Sequence, residues 1–481
     1  MKSIKATSLA LLSAAAFAPL AADAAPKKPN VIIIFTDDQG YQDLGCYGSP
    51  DIKTPRIDQM AREGLLLTQF YVSAPTSSPS RASLLTGKLN PNNGVLRVLS
   101  PEASGMPTTE VTIAEMLREA GYRTACYGKW HLGSDEGQMP TEQGFDEYFG
   151  IPYSNNMSLA SKQVFAKDCK FREGYTRESA LEMQKIDTFK QPKEKAPLIE
   201  GREIVEFPCE QATTTRRYFD RAIKFIDESG KKPFFTYITP AMPHRPYFAS
   251  AEFLGKSERG IYGDVVEEID WNVGRLLDHL KAKGLDENTI IIFSSDNGPS
   301  VAKKNLPDGG CALPLRGQKF LTFEGGVRVP FIMRWSGVVP EDVVSDEMVA
   351  SIDLLPSLAK LTGAKLPESS VDGLDMSKFF AEPTKKEYAI RDTYFYITYG
   401  LYMGVRVGDW KYLPVGGENF RGKTPTKGTA MLFNLKSDPY EKKNLRNTPE
   451  AAAVIDRLRK VCPELIDELP ASAAQSNNKK K

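Results

Sequence analysis

The 481-residue sequence has only three histidines, and its six cysteines are scattered along the whole length. So few histidines exclude a centre that holds several zinc ions mainly through imidazole groups. Widely spaced cysteines without a CxxC pair exclude a small disulfide scaffold. Cys169 and Cys209 flank one polar segment, and for these two a disulfide bond and two free thiols both remain open.

The sequence also lacks an excess of either charge and, after its start, any apolar run long enough to cross a bilayer. Its 62 basic and 61 acidic residues leave a net charge of +1, which argues against a nucleic-acid-binding protein. The start combines basic MKSIK, apolar ATSLALLSAAAFAPLA and small ADAA, which predicts a signal peptide over 1–25. No cysteine lies near the cleavage point, so there is no lipobox. We expect an exported protein, periplasmic or secreted, without a membrane span.

Short apolar, β-rich runs alternate with helical patterns along most of the chain. This alternation indicates an α/β fold, with a large, mostly parallel sheet sandwiched between helices. The predicted strands are 30–36, 123–128, 233–239, 289–295 and 329–335. Helices with apolar residues three and four apart and a closing glycine are predicted within 112–121, 213–230 and 264–284.

The pattern of polar and apolar residues changes at two places in the sequence. Residues 151–211 are polar and break the alternation, which predicts a long surface insertion. After about residue 390, short alternating segments predict a small antiparallel sheet followed by a helix and a lysine-rich end. We expect a large domain over 26–390, a small α+β subdomain over 391–470 and a disordered tail over 471–481.

Acidic pairs follow two of the predicted strands. Asp37 and Asp38 come after strand 30–36, and Asp296 and Asn297 come after strand 289–295. Alone, either pair fits a helix cap or a turn. Ligands bind beyond the carboxyl ends of parallel strands, where both pairs would repel each other without a cation between them. Oxygen donors with no adjacent histidine or cysteine favour Ca²⁺ or Mg²⁺ over Zn²⁺.

Two of the three histidines also follow predicted strands. His131 comes with Lys129 just after strand 123–128, and His244 comes after strand 233–239. We therefore predict that both histidines share an edge of the sheet with the acidic pairs. His279 lies within an amphipathic helix and is predicted to be structural.

The stretch SSPSRASLLTG predicts a short helix over 79–87. Pro79 suits a first helical turn, the preceding serines can cap it, and a glycine ends it. The amino end of a helix attracts a tetrahedral anion, and Arg81 adds a forked donor there. An ordinary capped helix remains the alternative.

These motifs together resemble the type I sulfatases of the alkaline-phosphatase superfamily. The family signature, Cys or Ser, any residue, Pro, any residue and Arg, reads here from Ser77 to Arg81 and continues as LLTGK. Similar stretches include PNVIIIFTDDQGYQDLGCYG, YGKWHLG, GIPYS, PHRPY, FSSDNG, LRGQKFLTFEGGVRVP and LFNLKSDPYEKKNL. PYFASAEFLGKSERGIYGDVVEEID is similar to the arylsulfatase A and N-acetylgalactosamine-6-sulfatase branch. The resemblance implies a large α/β sandwich with a smaller C-terminal antiparallel sheet.

The resemblance also implies the chemistry of the site. Ser77 would be oxidised to formylglycine by a radical-SAM maturase before export, and the hydrated aldehyde would attack sulfur. Arg81 would hold its second hydroxyl and the helix start, and His131 would act as the base. The implied Ca²⁺ ligands are Asp37, Asp38, Ser77, Asp296 and Asn297.

Further residues would bind the substrate, which the resemblance implies to be a sulfated mono- or oligosaccharide. Lys129 and Lys319 would clamp the sulfate, and Ser154 would contact it. His244 or Lys319 would protonate the leaving oxygen. A 6-sulfate on galactose or N-acetylgalactosamine is the leading expectation. A phosphonate or phosphate monoester hydrolase remains an alternative, as does a silent sulfated-glycan binder that keeps Ser77 unmodified.

Overall fold

The computed structural model describes residues 28–301, 309–417 and 429–467. The predicted signal peptide and tail lie outside these ranges. The strands are β1 (Asn30–Thr36), β2 (Leu65–Tyr71), β3 (Arg123–Gly128), β4 (Glu147–Gly150), β5 (Val164–Phe171), β6 (Leu198–Glu200), β7 (Glu203–Phe207), β8 (Phe234–Thr239), β9 (Thr289–Ser295), β10 (Arg328–Arg334), β11 (Val343–Ser345), β12 (Val349–Ala350), β13 (Thr393–Thr398), β14 (Leu401–Val407), β15 (Trp410–Leu413) and β16 (Met431–Asn434).

The helices lie between and after these strands. They are α1 (Pro55–Arg62), α2 (Ser77–Thr86), α3 (Asn90–Asn93), α4 (Ile113–Glu119), α5 (Arg177–Gln184), α6 (Gln211–Ser229), α7 (Ile261–Ala282), α8 (Glu324–Val327), α9 (Leu354–Thr362), α10 (Ser377–Ala381) and α11 (Ala451–Val461). Within the described ranges, no helix combines the length and the apolar character that spanning a bilayer would require.

Twelve strands form one large sheet, in the order β11-β2-β10-β9-β1-β8-β3-β4-β6-β7-β5, with β12 also paired to β2. The five neighbours β9, β1, β8, β3 and β4 are all parallel. On one side, β10 is antiparallel to both β9 and β2. The carboxyl ends of the five parallel strands therefore meet at one edge of the sheet.

The centre of the sheet is buried on both faces, as the unbroken apolar runs predict. In β1, Val31 and Ile33 belong to one hydrophobic core and Ile32 and Ile34 to the other. Helices α2, α4 and α9 contribute to the first core, and α1, α6 and α7 contribute to the second. The predicted class, a large mostly parallel sheet between helices with a smaller antiparallel sheet, is confirmed.

The sequence patterns locate the main elements closely but miss the start of α2. Three predicted strands keep their bounds, and the strands predicted at 233–239 and 329–335 differ by one residue. Helix α2 begins at Ser77, and its N-cap is Thr76. The predicted serine cap at Pro79 is wrong because both serines have other partners. The Ser77 hydroxyl donates to Asp37, and the Ser78 hydroxyl accepts the N–H of Leu99.

The segment 151–211 is more than a surface insertion. It contains β5, β6, β7 and α5, and its strands extend one end of the large sheet. Cys169 lies within β5 and Cys209 follows β7. All six cysteines are free, so the option of a Cys169–Cys209 disulfide is not realised.

The last part of the chain forms the small sheet, in the order β13-β14-β15-β16, with antiparallel neighbours. Val405 and Leu432 of this sheet form a separate core with Leu458 of α11. Tyr394 and Tyr396 instead belong to the first core of the large sheet. The small sheet is therefore packed against the large one through its aromatic face.

Candidate active site

The acidic pairs after β1 and β9 meet at the sheet edge. The backbone N–H of Asp38 donates to Asp296 Oδ1 over 3.0 Å, and Asn297 Nδ2 donates to Asp38 Oδ1 over 2.8 Å. Asp37, Asp38 and Asp296 each place a carboxylate oxygen within 4.8 Å of the others. All four side chains are buried. Adjacent parallel strands bring together residues that lie about 260 positions apart in the sequence.

The side chain of residue 77 lies at the same place. The Ser77 hydroxyl is 3.2 Å from Asp37 Oδ1 and 3.4 Å from Asn297 Oδ1. Ser77 is the first residue of α2 and is buried. The structure therefore brings together all five residues expected to bind the metal.

The donor set fits a hard divalent cation. Three carboxylates, one amide and one hydroxyl offer oxygen atoms, and the described residues around them include no cysteine. This is the ligand chemistry of Ca²⁺ or Mg²⁺. Asp38 also adopts a left-handed backbone with φ 62°, a conformation that is uncommon for residues other than glycine.

Three basic side chains surround the carboxylates. Arg81 donates from Nε (3.0 Å) and Nη2 (2.8 Å) to Asp296. Lys129 Nζ donates to Asp37 Oδ2 over 2.6 Å and to the Ser77 hydroxyl over 3.2 Å. Lys319 Nζ donates to Asp38 Oδ2 over 2.7 Å. Each of these cations therefore contacts a carboxylate of the cluster, and Lys129 also contacts residue 77.

These contacts decide the charge of the carboxyl groups. Burial would raise the pKa of Asp37, but the charges of Lys129 and His244 hold that pKa below its ordinary value. Burial acts in the same direction on Asp38, and Lys319 with His244 lowers its pKa. Both side chains are therefore anionic at neutral pH, as metal ligands must be.

His131 keeps one ring nitrogen free of hydrogen bonds within the described residues. Its Nε2 is 3.0 Å from the carbonyl oxygen of Leu99. A carbonyl oxygen only accepts, so Nε2 carries the proton and Nδ1 does not. Nδ1 is buried and has no hydrogen-bond partner among the described residues. Burial and the charge of Lys129 hold the pKa of His131 well below its ordinary value. The ring is therefore a neutral base with its lone pair on Nδ1.

His244 also contacts Asp38. Its Nε2 is 3.8 Å from Asp38 Oδ2, and its Nδ1 is 2.9 Å from Asn155 Oδ1. Burial and the charge of Lys319 lower the pKa of His244. His279 is outside the site, where its Nε2 pairs with Asp227 over 3.0 Å.

Ser154 follows β4 and is buried at the same sheet edge. Within the described ranges, no hydrogen bond joins its hydroxyl to the carboxylates or to Ser77. Its backbone oxygen accepts the N–H of Met157 over 2.9 Å. Ser154 is thus the most peripheral of the predicted site residues.

Comparison with known families identifies the family to which this chain belongs. The family model described as Sulfatase matches residues 29–364. The chain belongs to the sulfatase family. A second model, N-sulphoglucosamine sulphohydrolase C-terminal, matches residues 317–468. The chain is a sulfuric ester hydrolase, and the resemblance found in the sequence is confirmed.

Individual sulfatases are similar over nearly the whole chain. Human arylsulfatase A is 34% identical over 464 residues, with 91% of this chain and 88% of the relative covered. The dog N-acetylgalactosamine-6-sulfatase is 34% identical over 493 residues, with 95% and 89% covered. The solved structure of Ps i-CgsB in complex with k-i-k-neocarrahexaose is 29% identical with a TM-score of 0.73, covering 93% of this chain and 97% of that chain.

Sequence reasoning missed three residues that support the two histidines of this sulfatase. Leu99 accepts from His131, Ser78 accepts the N–H of Leu99 over 3.1 Å, and Asn155 contacts His244. Ser78 occupies the variable position of the motif, and Leu99 acts through its backbone. Asn155 alone could have been considered from the sequence, because it directly follows Ser154, the last residue of the stretch GIPYS that was quoted for the resemblance.

Proposed function

We propose that this sulfatase removes sulfate from carbohydrates, with residue 77 in its oxidised formylglycine form and with Ca²⁺ bound beside it. The observation that carries the proposal is the position of the Ser77 side chain. It lies within hydrogen-bonding distance of Asp37, Asn297 and Lys129. A residue so placed can contact a cation and a bound sulfate at once.

Ca²⁺ would be held by Asp37, Asp38, Asp296, Asn297 and an oxygen of residue 77, and it would supply Lewis-acid chemistry at the sulfate oxygens and at the hydroxyl of residue 77. In the protein alone, three carboxylates face three basic side chains, Arg81, Lys129 and Lys319. A divalent ion therefore gives the site a net positive charge. That charge suits the sulfate ester anion and the further negative charge of the transition state.

Formylglycine, as its hydrate, would supply two hydroxyl groups on one carbon in place of the serine hydroxyl. Arg81, one turn of α2 beyond residue 77, holds Asp296 in place and would hold the second hydroxyl. Lys129 and Lys319 clamp the sulfate oxygens. His131 takes a proton from the side chain of residue 77 at Nδ1, which is the ring nitrogen left free. Ser154 contacts the sulfate from the β4 side.

The leaving oxygen needs a proton when the alcohol is a sugar. His244 and Lys319 both contact Asp38, whereas Lys129 contacts Asp37. Either can supply that proton.

Similarity to other sulfatases supports a substrate class. One similar enzyme is an N-acetylgalactosamine-6-sulfatase, and one similar structure holds a neocarrahexaose. We propose a 6-sulfate on galactose or N-acetylgalactosamine as the target. We further propose a signal peptide over 1–25, export to the periplasm or the medium, and maturation of Ser77 by a radical-SAM enzyme before export.

Two measurements on protein from a host with the maturase test the proposal. Mass spectrometry of the Ser77 peptide should show the loss of two hydrogens. Singly sulfated galactose, N-acetylgalactosamine and N-acetylglucosamine, with aryl sulfate and aryl phosphate alongside, should show sulfate release and preference for a 6-sulfated sugar. Faster phosphate than sulfate release would favour a phosphate or phosphonate monoester hydrolase. An unmodified Ser77 in active protein would refute the mechanism, and binding without turnover would indicate a silent glycan binder.

A further inference from the structure

Asn155 determines which nitrogen of His244 carries the proton. Asn155 Nδ2 is 2.8 Å from the carbonyl oxygen of Pro246, which can only accept a hydrogen bond. The NH₂ group of the amide therefore faces Pro246, and Oδ1 faces His244 Nδ1 at 2.9 Å. An amide oxygen also only accepts, so Nδ1 of His244 must donate.

The amide is held without help from a substrate. Asn155 is 1% exposed and lies just past the carboxyl end of β4. Its backbone oxygen accepts from Gln211 Nε2 over 3.0 Å, which ties it to the start of α6. The backbone and the side chain of Asn155 are thus both fixed before any ligand binds.

We propose that Asn155 is a positioning residue that keeps one proton of His244 on Nδ1 and thereby directs Nε2 at the leaving oxygen of the sulfate ester. This inference rests on the proposed function. The Nε2 atom already lies on the side of the ring nearest Asp38. The other two histidines do not share this arrangement, because their Nε2 atoms face Leu99 and Asp227.

The neutral ring carries its only proton on Nδ1, so His244 takes up a second proton from solvent, on Nε2, before it acts as an acid. When the bond between sulfur and the sugar oxygen breaks, that oxygen takes the proton from Nε2 of the doubly protonated ring. His244 is left neutral, with its remaining proton on Nδ1 still bonded to Asn155. Without an acceptor at Nδ1, the neutral ring can place its proton on Nε2 or turn over, and Nε2 loses its fixed direction.

The kinetic test uses two leaving groups. A sugar alkoxide needs a proton in the transition state, whereas a 4-nitrophenolate needs little help. We expect Asn155→Leu to lower kcat on the 6-sulfated sugar at least about tenfold and kcat on 4-nitrophenyl sulfate less than about threefold. Asn155→Asp keeps the acceptor and should restore most of the sugar activity. Asn156→Leu, at the exposed neighbouring position, is the matched control and should behave as wild type on both substrates.

Equal losses on both substrates, or no loss on either, would overturn the inference. Equal losses would indicate a general structural defect, and no loss would show that the contact between Asn155 and His244 does not affect catalysis. Rates are divided by the fraction of residue 77 that mass spectrometry finds converted, so incomplete maturation cannot imitate either result.

The second test needs no turnover. The chain has three histidines, so long-range ¹H–¹⁵N spectra of histidine-labelled protein can assign each tautomer. In protein with unmodified Ser77, above the pH where the rings are charged, His244 should show its proton on Nδ1. His131 should show it on Nε2 and serves as an internal reference of the opposite form. Asn155→Leu should shift only His244 toward Nε2–H.

The role of Asn155 and the proposed substrate class can be refuted independently of each other. A wild-type His244 with its proton on Nε2 would overturn the role of Asn155, whatever the activity. An absence of sulfate release from every sugar would overturn the proposed substrate class while leaving the tautomer result to stand or fall on its own.

Discussion

At the scale of single residues, the site uses two histidines in opposite forms. His131 donates from Nε2 to Leu99 and keeps Nδ1 free, whereas His244 donates from Nδ1 to Asn155 and turns Nε2 to the site. The acceptors Leu99 and Asn155 decide which tautomer each ring adopts, because a free imidazole changes readily between its two tautomers. The two rings therefore present different nitrogen atoms to their surroundings, Nδ1 at His131 and Nε2 at His244.

The two lysines of the site should matter most for the rate. Lys129 Nζ contacts the Ser77 hydroxyl and Lys319 Nζ contacts Asp38, and both lysines would bear the charge that grows on sulfate. We expect Lys129→Ala and Lys319→Ala each to lose about 3 kcal/mol of transition-state stabilisation, roughly 100-fold in kcat. Steady-state kinetics on the sugar sulfate measures this. Lys162→Ala, in an exposed pair with Asp135, is the control. Turnover within a few-fold of wild type would contradict the assigned roles.

Ser78, the variable position of the motif, should influence His131 through Leu99. The Ser78 hydroxyl accepts the N–H of the residue whose carbonyl holds the ring. We expect Ser78→Ala to lower stability by about 1 kcal/mol and to lower kcat. Thermal denaturation and kinetics, corrected for conversion of residue 77, measure both. Ser80→Ala removes a buried hydroxyl that has no partner within the described residues and should change less. Equal effects would refute the connection.

At the scale of elements, each of the five parallel strands ends in a segment that supplies the site. β1 and β9 supply the carboxylates, β3 supplies Lys129 and His131, β8 leads to His244, and β4 leads to Ser154 and Asn155. The remaining parts are α2 and the turn that carries Lys319. Because the strands share one direction, their ends meet without any loop having to reach across the sheet.

The turn after β9 depends on close contact with α8. A Cβ atom on Gly298 would lie 1.8 Å from the carbonyl oxygen of Gly325, and the Gly298 N–H donates to Gly326 over 3.0 Å. We expect Gly298→Ala to push the turn away and displace Asn297, lowering Ca²⁺ affinity roughly tenfold, about 1.4 kcal/mol. Melting curves with EDTA and with increasing Ca²⁺ measure this. A calcium-induced stabilisation equal to wild type would contradict it.

At the scale of the whole molecule, a buried charged cluster joins the two sheets. Lys411 of β15 lies 3.0 Å from Glu324 and 2.7 Å from Glu441. Glu324 is in α8, the turn that contacts Gly298, and it also accepts from Tyr71 of β2 and Tyr396 of β13. The small sheet therefore supports the turn beneath the metal ligands rather than lying apart from the site.

This cluster makes stability depend on pH. Although burial opposes it, the charges of Lys411, Arg406 and Arg328 lower the pKa of Glu324 to about 2. Burial and the charge of Glu324, against the pull of Lys411, raise the pKa of Glu441 to about 7. The ordinary glutamate pKa is about 4.3, so Glu441 binds its proton more tightly in the folded chain than in the unfolded chain. The stabilisation is present at low pH and is lost as pH rises through about 7.

Glu441→Gln should remove this part of the pH dependence. Between about pH 5 and about pH 8, its unfolding free energy should fall by on the order of 2 kcal/mol less than that of wild type. Denaturation at both pH values measures the difference. Glu368→Gln, at a side chain that is 91% exposed, is the control. Parallel curves for wild type and Glu441→Gln would show that Glu441 does not titrate in this range.

The sequence by itself determined the family, the central strands and most of the site. Unbroken apolar runs such as 30–36 can only lie in the middle of a covered sheet, and acidic pairs at their ends then have one place to meet. The motif around Ser77 is local, so it could be read directly. These features depend on neighbouring residues or on the common direction of parallel strands, and both are visible in a linear pattern.

Only the tertiary structure decided which nitrogen each histidine presents, where α2 begins, and that residues 164–207 extend the sheet. The contact between Asn155 and His244 joins positions 89 apart, and that between Leu99 and His131 joins positions 32 apart through a backbone oxygen. No local pattern encodes such contacts, because a hydrogen bond of this kind depends on the packed position of both partners. The residues of the site could therefore be named from the sequence, whereas the hydrogen bonds that orient each histidine ring came from the fold.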